Sequence, residues 1–156
     1  RMELHQPYEN LTYYGRGPFE NYIDRYSGAF IGRYEDKVEN QFYWYIRPQE
    51  TGNKTDVRWL ALLNSEGEGV KITGLQPIAF SALHFSPEDL DPGLTRKLQH
   101  TIDIVPQKNI FLHVDLKQRG LGGDNSWGMY PHNKYRLLDK KYVYSYMIEL
   151  AEKGSD

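Results

Sequence analysis

The chain has 156 residues and a mass of 18.3 kDa, the size of one ordinary domain. Its 19 basic and 21 acidic residues leave a net charge of -2, which offers nucleic acid no electrostatic footprint, and no apolar run approaches the roughly 20 residues that span a bilayer. A 39% hydrophobic fraction excludes disorder, and the absence of cysteine excludes disulfides, a thiolate nucleophile and zinc-thiolate sites.

The 13 Tyr, 6 Phe and 3 Trp favour strands, while 14 Gly and 8 Pro supply turns, so the chain reads as mostly β. Glu3 to Tyr14 reads as a strand running into the Gly15-Arg16-Gly17-Pro18 turn, and a long polar loop follows. Val38 to Tyr45 alternates like a strand, and Arg47 to Asn53 interrupts it. The Val57 to Asn64 segment is apolar on both faces, which predicts a strand covered on both sides. Ser65 to Gly69 turns it into a hairpin with Val70 to Thr73, and Ile78 to Phe85 is a further strand. Ser86-Pro87-Glu88-Asp89 signals a helix start that Pro92-Gly93 stops after about one turn. Thr101 to Val105, Ile110 to Lys117 and Lys141 to Leu150 complete the strands, and strands separated by regular turn signals predict an antiparallel β-sandwich. No internal repeat divides residues 1–156, so they read as one domain segment. Arg rather than Met at position 1 suggests a segment cut from a longer chain.

Paired carboxylates are the usual machinery of glycoside hydrolysis, and Glu20 with Asp24 is the nearest pair. Arg16 and Arg25 flank them, and a carboxylate beside arginine is more often an ion-paired loop anchor than a proton donor. His5, His84, His100, His113 and His132 are too scattered to converge as metal ligands. His113 and Asp115 share a strand face, which reads as a hydrogen-bonded strand histidine and not as a metal site. Gly120-Leu121-Gly122-Gly123 has no helix after it to cradle a phosphate. The turn continues through Asp124, Asn125, Ser126 and Trp127, and two readings of it stand side by side. An indole with nearby carboxylate and amide groups suits the apolar face and hydroxyl edge of a sugar, whereas a self-capping turn would use Trp127 to plug a core edge. The triplets Asn10-Leu11-Thr12 and Asn53-Lys54-Thr55 match the glycosylation pattern, as chance alone would allow.

Three motifs, in order, resemble the C-terminal region of the large bacterial β-galactosidases of glycoside hydrolase family 2. They are Gly15-Arg16-Gly17-Pro18-Phe19-Glu20-Asn21-Tyr22-Ile23-Asp24-Arg25, then Arg47-Pro48-Gln49-Glu50-Thr51-Gly52-Asn53 with Val57-Arg58-Trp59, then Gly120-Leu121-Gly122-Gly123-Asp124-Asn125-Ser126-Trp127. The resemblance implies the C-terminal portion of a galactose-mutarotase-like supersandwich. It places the catalytic glutamates of a retaining hydrolase of terminal β-D-galactose, with magnesium and sodium, on a separate barrel, and leaves this segment inactive and without a catalytic or metal-binding residue of its own.

By the same resemblance, Trp127 stacks on the bound β-galactoside, with Asp124, Asn125 and Ser126 beside it. Position 125 departs from the family, which commonly carries aspartate there. Glu20, Asn21, Asp24, Arg25, Arg47 and Glu50 are expected to be loop anchors. The implied partners are the sugar, the other domains of the parent chain and further copies of the enzyme, in a bacterial cytoplasm or periplasm. A stand-alone carbohydrate-binding module and a purely structural or oligomerisation domain are the competing expectations.

Overall fold

The computed structural model describes residues 1–91, 93, 99–125 and 127–152. The strands are β1 (Met2–Leu4), β2 (Asn10–Gly17), β3 (Phe30–Lys37), β4 (Lys54–Leu63), β5 (Gly69–Leu83), β6 (Ile110–Asp115) and β7 (Tyr146–Ala151), with one short helix, α1 (Pro87–Leu90). They form one antiparallel sheet in the order β1-β6-β5-β4-β2-β3, and β7 pairs with the first half of β5. The fold is therefore all-β and antiparallel, consistent with a β-sandwich.

The β4–β5 hairpin forms because Asn64 closes its turn, its Oδ1 accepting the backbone N–H groups of Glu66 and Glu68 at 2.9 Å. The two expected strands after that turn are one long strand, β5. Its register against β4 jumps from Trp59↔Thr73 to Val57↔Ile78, so Gly74 to Pro77 bulge where Pro77 cannot donate to a ladder. This irregularity brings Val57 into the core with Leu60 and Leu62, while Trp59 and Leu63 stay partly exposed. Double coverage of β4 is thus only partial.

The main core lies on one sheet face: Leu11 and Tyr13 of β2, Val57, Leu60 and Leu62 of β4, Ile72, Ile78 and Phe80 of β5, and Ile110 and Leu112 of β6. A smaller cluster on the other face joins Leu83, Phe85, Leu90 and Ile104, with Phe42 against it. Ser86 caps α1 with a capping box, its Oγ accepting Asp89 N–H at 3.2 Å while Asp89 Oδ2 accepts Ser86 N–H at 2.7 Å. Pro92, expected to stop the helix, lies outside the described residues, and α1 ends at Leu90.

Five expectations shift. The Glu3 to Tyr14 strand is two strands, parted where Pro7 carries no N–H. β3 occupies the expected polar loop; it is an edge strand carrying Arg33, Glu35, Asp36 and Lys37, so little apolar alternation marks it. Val38–Gln41 and Thr101–Asp103 are 3-10 turns. The aromatic alternation of Phe42 to Tyr45 reflects ring packing in a loop, with Phe42 on Phe85 and Tyr43 on Tyr45. Last, β7 begins only at Tyr146 and leaves Met147, Ile148 and Leu150 exposed.

Candidate functional site

The three motifs meet in space. Past the cis Gly17–Pro18 bond, Glu20 reaches the loop formed by the second motif. The Glu20 side chain, 8% exposed, accepts hydrogen bonds from Arg25 Nη2 (2.6 Å), Gly52 N–H (2.8 Å), Thr51 Oγ1 (3.2 Å) and the Tyr45 hydroxyl. Burial, then the bond to Glu20, push the Tyr45 hydroxyl above its ordinary range against the pull of Arg25. A carboxylate held by so many donors acts as a fixed anchor.

Asn21 is fully buried beside it. Its Oδ1 accepts Thr55 N–H (3.0 Å) and Thr55 Oγ1–H (2.5 Å), and its Nδ2 donates to the carbonyls of Arg16 and Phe19. Asn53 is equally buried and donates to the Asn21 carbonyl at 2.8 Å, so the second glycosylation-like triplet is a packing motif. Gly52 holds a left-handed φ of 77° with the Gln41 carbonyl pressed against it, which leaves no room for a side chain. Arg47 donates to the Gln99 carbonyl at 3.1 Å.

Asp24 ties in the third motif. Its Oδ2 accepts Gly122 N–H at 2.8 Å, and Gly120 N–H donates to the Tyr135 carbonyl at 2.7 Å. A Cβ on Gly120 would stand 2.7 Å from Asp24 Oδ2 and 2.9 Å from Tyr135 Cβ, so only glycine lets the loop seat this closely. Asp24, Arg25, Tyr45 and Gln49 also line a recess at the loop base, with Leu121 and Gly122 across it.

From that base the loop projects Trp127, 91% exposed, with its N–H bonded to Asn125 Oδ1 at 2.8 Å. Asp124 Oδ1 meets His132 Nε2 at 2.7 Å. The two polar side chains therefore brace the loop, as the self-capping reading held, but Trp127 plugs no core edge. Ser126 lies outside the described residues.

Two features escaped the sequence. Lys54 is 2% exposed, donating through Nζ to Gln41 Oε1 (2.9 Å) and the Gly52 carbonyl (3.3 Å). Burial lowers its ammonium to about 8, against the Glu20 and Asp36 charges. Nothing in a single lysine at a strand start announces this burial. The second is His113, expected to be hydrogen-bonded; its ring makes no such bond among the described residues, because it faces a cavity floored by the sheet. Burial lowers its pKa, with Asp115 opposing. Glu50 keeps a solvent-exposed face, yet the surrounding protein desolvates it enough to raise its carboxyl. Asp115 and Glu20 add to the rise, and Gln118 opposes it. The divalent ion implied for the parent enzyme finds no fitting donor set: among the described residues no three His, Asp or Glu side chains converge on one point.

Comparison with known proteins agrees with these motifs. A family described as "Beta galactosidase small chain" matches residues 1–148. The chain is 37% identical over 147 residues to a β-galactosidase of Priestia megaterium, covering 94% of this chain and 14% of that protein. It is 35% identical over 144 residues to a β-galactosidase of Streptococcus thermophilus, covering 91% and 14%. A relative named β-galactosidase BgaC from Bifidobacterium adolescentis is 36% identical over 133 residues, covering 83% and 12%. The chain thus spans about one seventh of the length of such relatives.

Proposed function

We propose, because the chain belongs to the β-galactosidase small chain family, that it is a non-catalytic part of an enzyme hydrolysing terminal non-reducing β-D-galactose, and that Trp127 supplies a stacking surface to an active site built by the rest of that enzyme. The observation that carries this reading is the exposed indole of Trp127 on a loop whose base is locked by Asp24 and Gly120. A pyranose offers its C–H face to such a ring, and a surface fixed in advance spends less free energy on ordering when sugar arrives. The catalytic acid and nucleophile of a retaining mechanism, the metal ions and the remainder of a supersandwich are then supplied elsewhere. Glu20 is unsuited to proton donation because its oxygens are already occupied by donors.

In the whole enzyme carrying this chain, Trp127→Ala should weaken productive lactose binding about fivefold, the equivalent of roughly 1 kcal/mol of aromatic packing. The chain alone should leave an aryl β-galactoside intact. Unchanged KM and kcat in the variant would remove the stacking role, and hydrolysis by the chain alone would overturn its non-catalytic character.

A further inference from the structure

The sheet face opposite the main core carries a cavity of about 330 Å3 that the Trp127 loop does not line. Its floor is two cross-strand pairs of β5 and β6, the polar pair Ser81↔His113 beside the apolar pair Leu83↔Phe111. The end of α1 with Leu90 and Asp91 forms one wall, and Gln49 with Glu50 forms another. The recess therefore has one apolar patch and one polar patch side by side.

The polar groups have bonding capacity to spare. Ser81 is 5% exposed, and its hydroxyl makes no hydrogen bond among the described residues; neither does the His113 ring. Both side chains line the cavity, where water or a ligand can pair with them. Glu50 and Asp91 add acceptors, and Gln49 adds an amide that both donates and accepts. Among the described residues no lysine or arginine lines the cavity, and Arg1, over the Phe111 ring, is already paired with Glu88, so the carboxylates of Glu50 and Asp91 would repel a phosphate or a carboxylate ligand. A volume at the small end of ligand pockets suits one ring better than a chain of rings.

We infer that this cavity binds a single neutral pyranose sugar, its hydroxyls donating to Glu50 and Asp91 and exchanging hydrogen bonds with Ser81 and His113 while its C–H face rests on Phe111 and Leu83. The site is separate from the Trp127 loop and does not depend on the role given to that residue. Among the described residues, Gln49 alone borders both this cavity and the recess beneath the loop.

The test is a titration of the isotope-labelled chain, carrying Leu150→Lys to keep it dispersed, with D-galactose, D-glucose and inorganic phosphate, followed by backbone amide NMR. At least one of the two sugars should produce saturable shifts at Ser81, Leu83, Phe111 and His113, and phosphate should produce none there. Glu50→Ala should weaken binding about tenfold through loss of a charged acceptor. Ser81→Ala serves as a second, smaller perturbation, and Trp127→Ala should leave the affinity unchanged. Dispersed spectra of the variants establish that they fold. The inference is overturned if neither sugar shifts these amides, if the shifts fall only around Asp124 to Trp127, if phosphate reproduces them, or if folded Glu50→Ala and Ser81→Ala both bind like the parent. Loss of the shifts in Trp127→Ala would also overturn it, by assigning the sugar to the loop.

Discussion

Lys54 makes the stability of this chain depend on pH in an unusual direction. Its ordinary pKa is 10.5, and burial lowers it to about 8 in the fold, so between those values the unfolded chain binds more protons than the folded one. Stability from this group is fully present above 10.5 and is lost as pH falls through 8. Integrating the two titrations, the fold should gain about 2 kcal/mol between about pH 7 and about pH 9.5, at no more than about 1.4 kcal/mol per pH unit. The window should stop there, because burial also raises the hydroxyls of Tyr13 and Tyr22 above their ordinary value of 10.0. Those tyrosines stay protonated in the fold while ionising in the unfolded chain, which erodes stability at higher pH.

Lys54→Met keeps the length and apolar stem but removes the charge, so the rise between pH 7 and 9.5 should flatten. The absolute stability of the variant combines relief from a buried charge with two acceptors left unpaired, Gln41 Oε1 and the Gly52 carbonyl, so the slope is the decisive quantity. Urea unfolding at several pH values, followed by circular dichroism, measures it. A parent chain whose stability is flat or falling across the window, or a variant that keeps the rise, would refute the reasoning.

Other substitutions probe the junction of the motifs. Glu20→Gln should cost about 1–3 kcal/mol at pH 7, because it replaces the charged acceptor of Arg25, Tyr45, Thr51 and Gly52 by an amide carrying donors. Chemical denaturation would contradict the anchor role if the variant matched the parent. Gly120→Ala should cost about 1–3 kcal/mol, since its Cβ meets both Asp24 and Tyr135. A melt unchanged from that of the parent would show that the loop base has more room than the geometry allows.

What the sequence made legible was local. Ser65 to Gly69, with its two glycines, marks the β4–β5 turn, and Ser86-Pro87 with Asp89 marks the start of α1, because the physical cause of each lies within a few residues. Arginines beside Glu20 and Asp24 announced anchors, but nothing nearby pointed to Tyr45, Thr51 or Gly52 as partners, which arrive from 25 to 32 positions away. β3 stayed hidden because an edge strand with charged side chains has no apolar face to advertise. The long-range burial of Lys54 and the unspent bonding groups of Ser81 and His113 depend on which strands become neighbours, and periodicity carries no record of that.

The charged edge of β3 has a counterpart in β7, whose consequence is colloidal. Lysine, arginine and carboxylate groups along β3 make it a poor template for another strand, whereas β7 presents Met147, Ile148 and Leu150, the last 87% exposed, beside the hydrogen bonds it makes to β5. An exposed edge with apolar side chains of this kind recruits further strands. Handled in isolation, the chain should therefore stick to itself through β7 first, and a lysine placed at Ile148 or Leu150 should keep it dispersed at concentrations where the parent clouds.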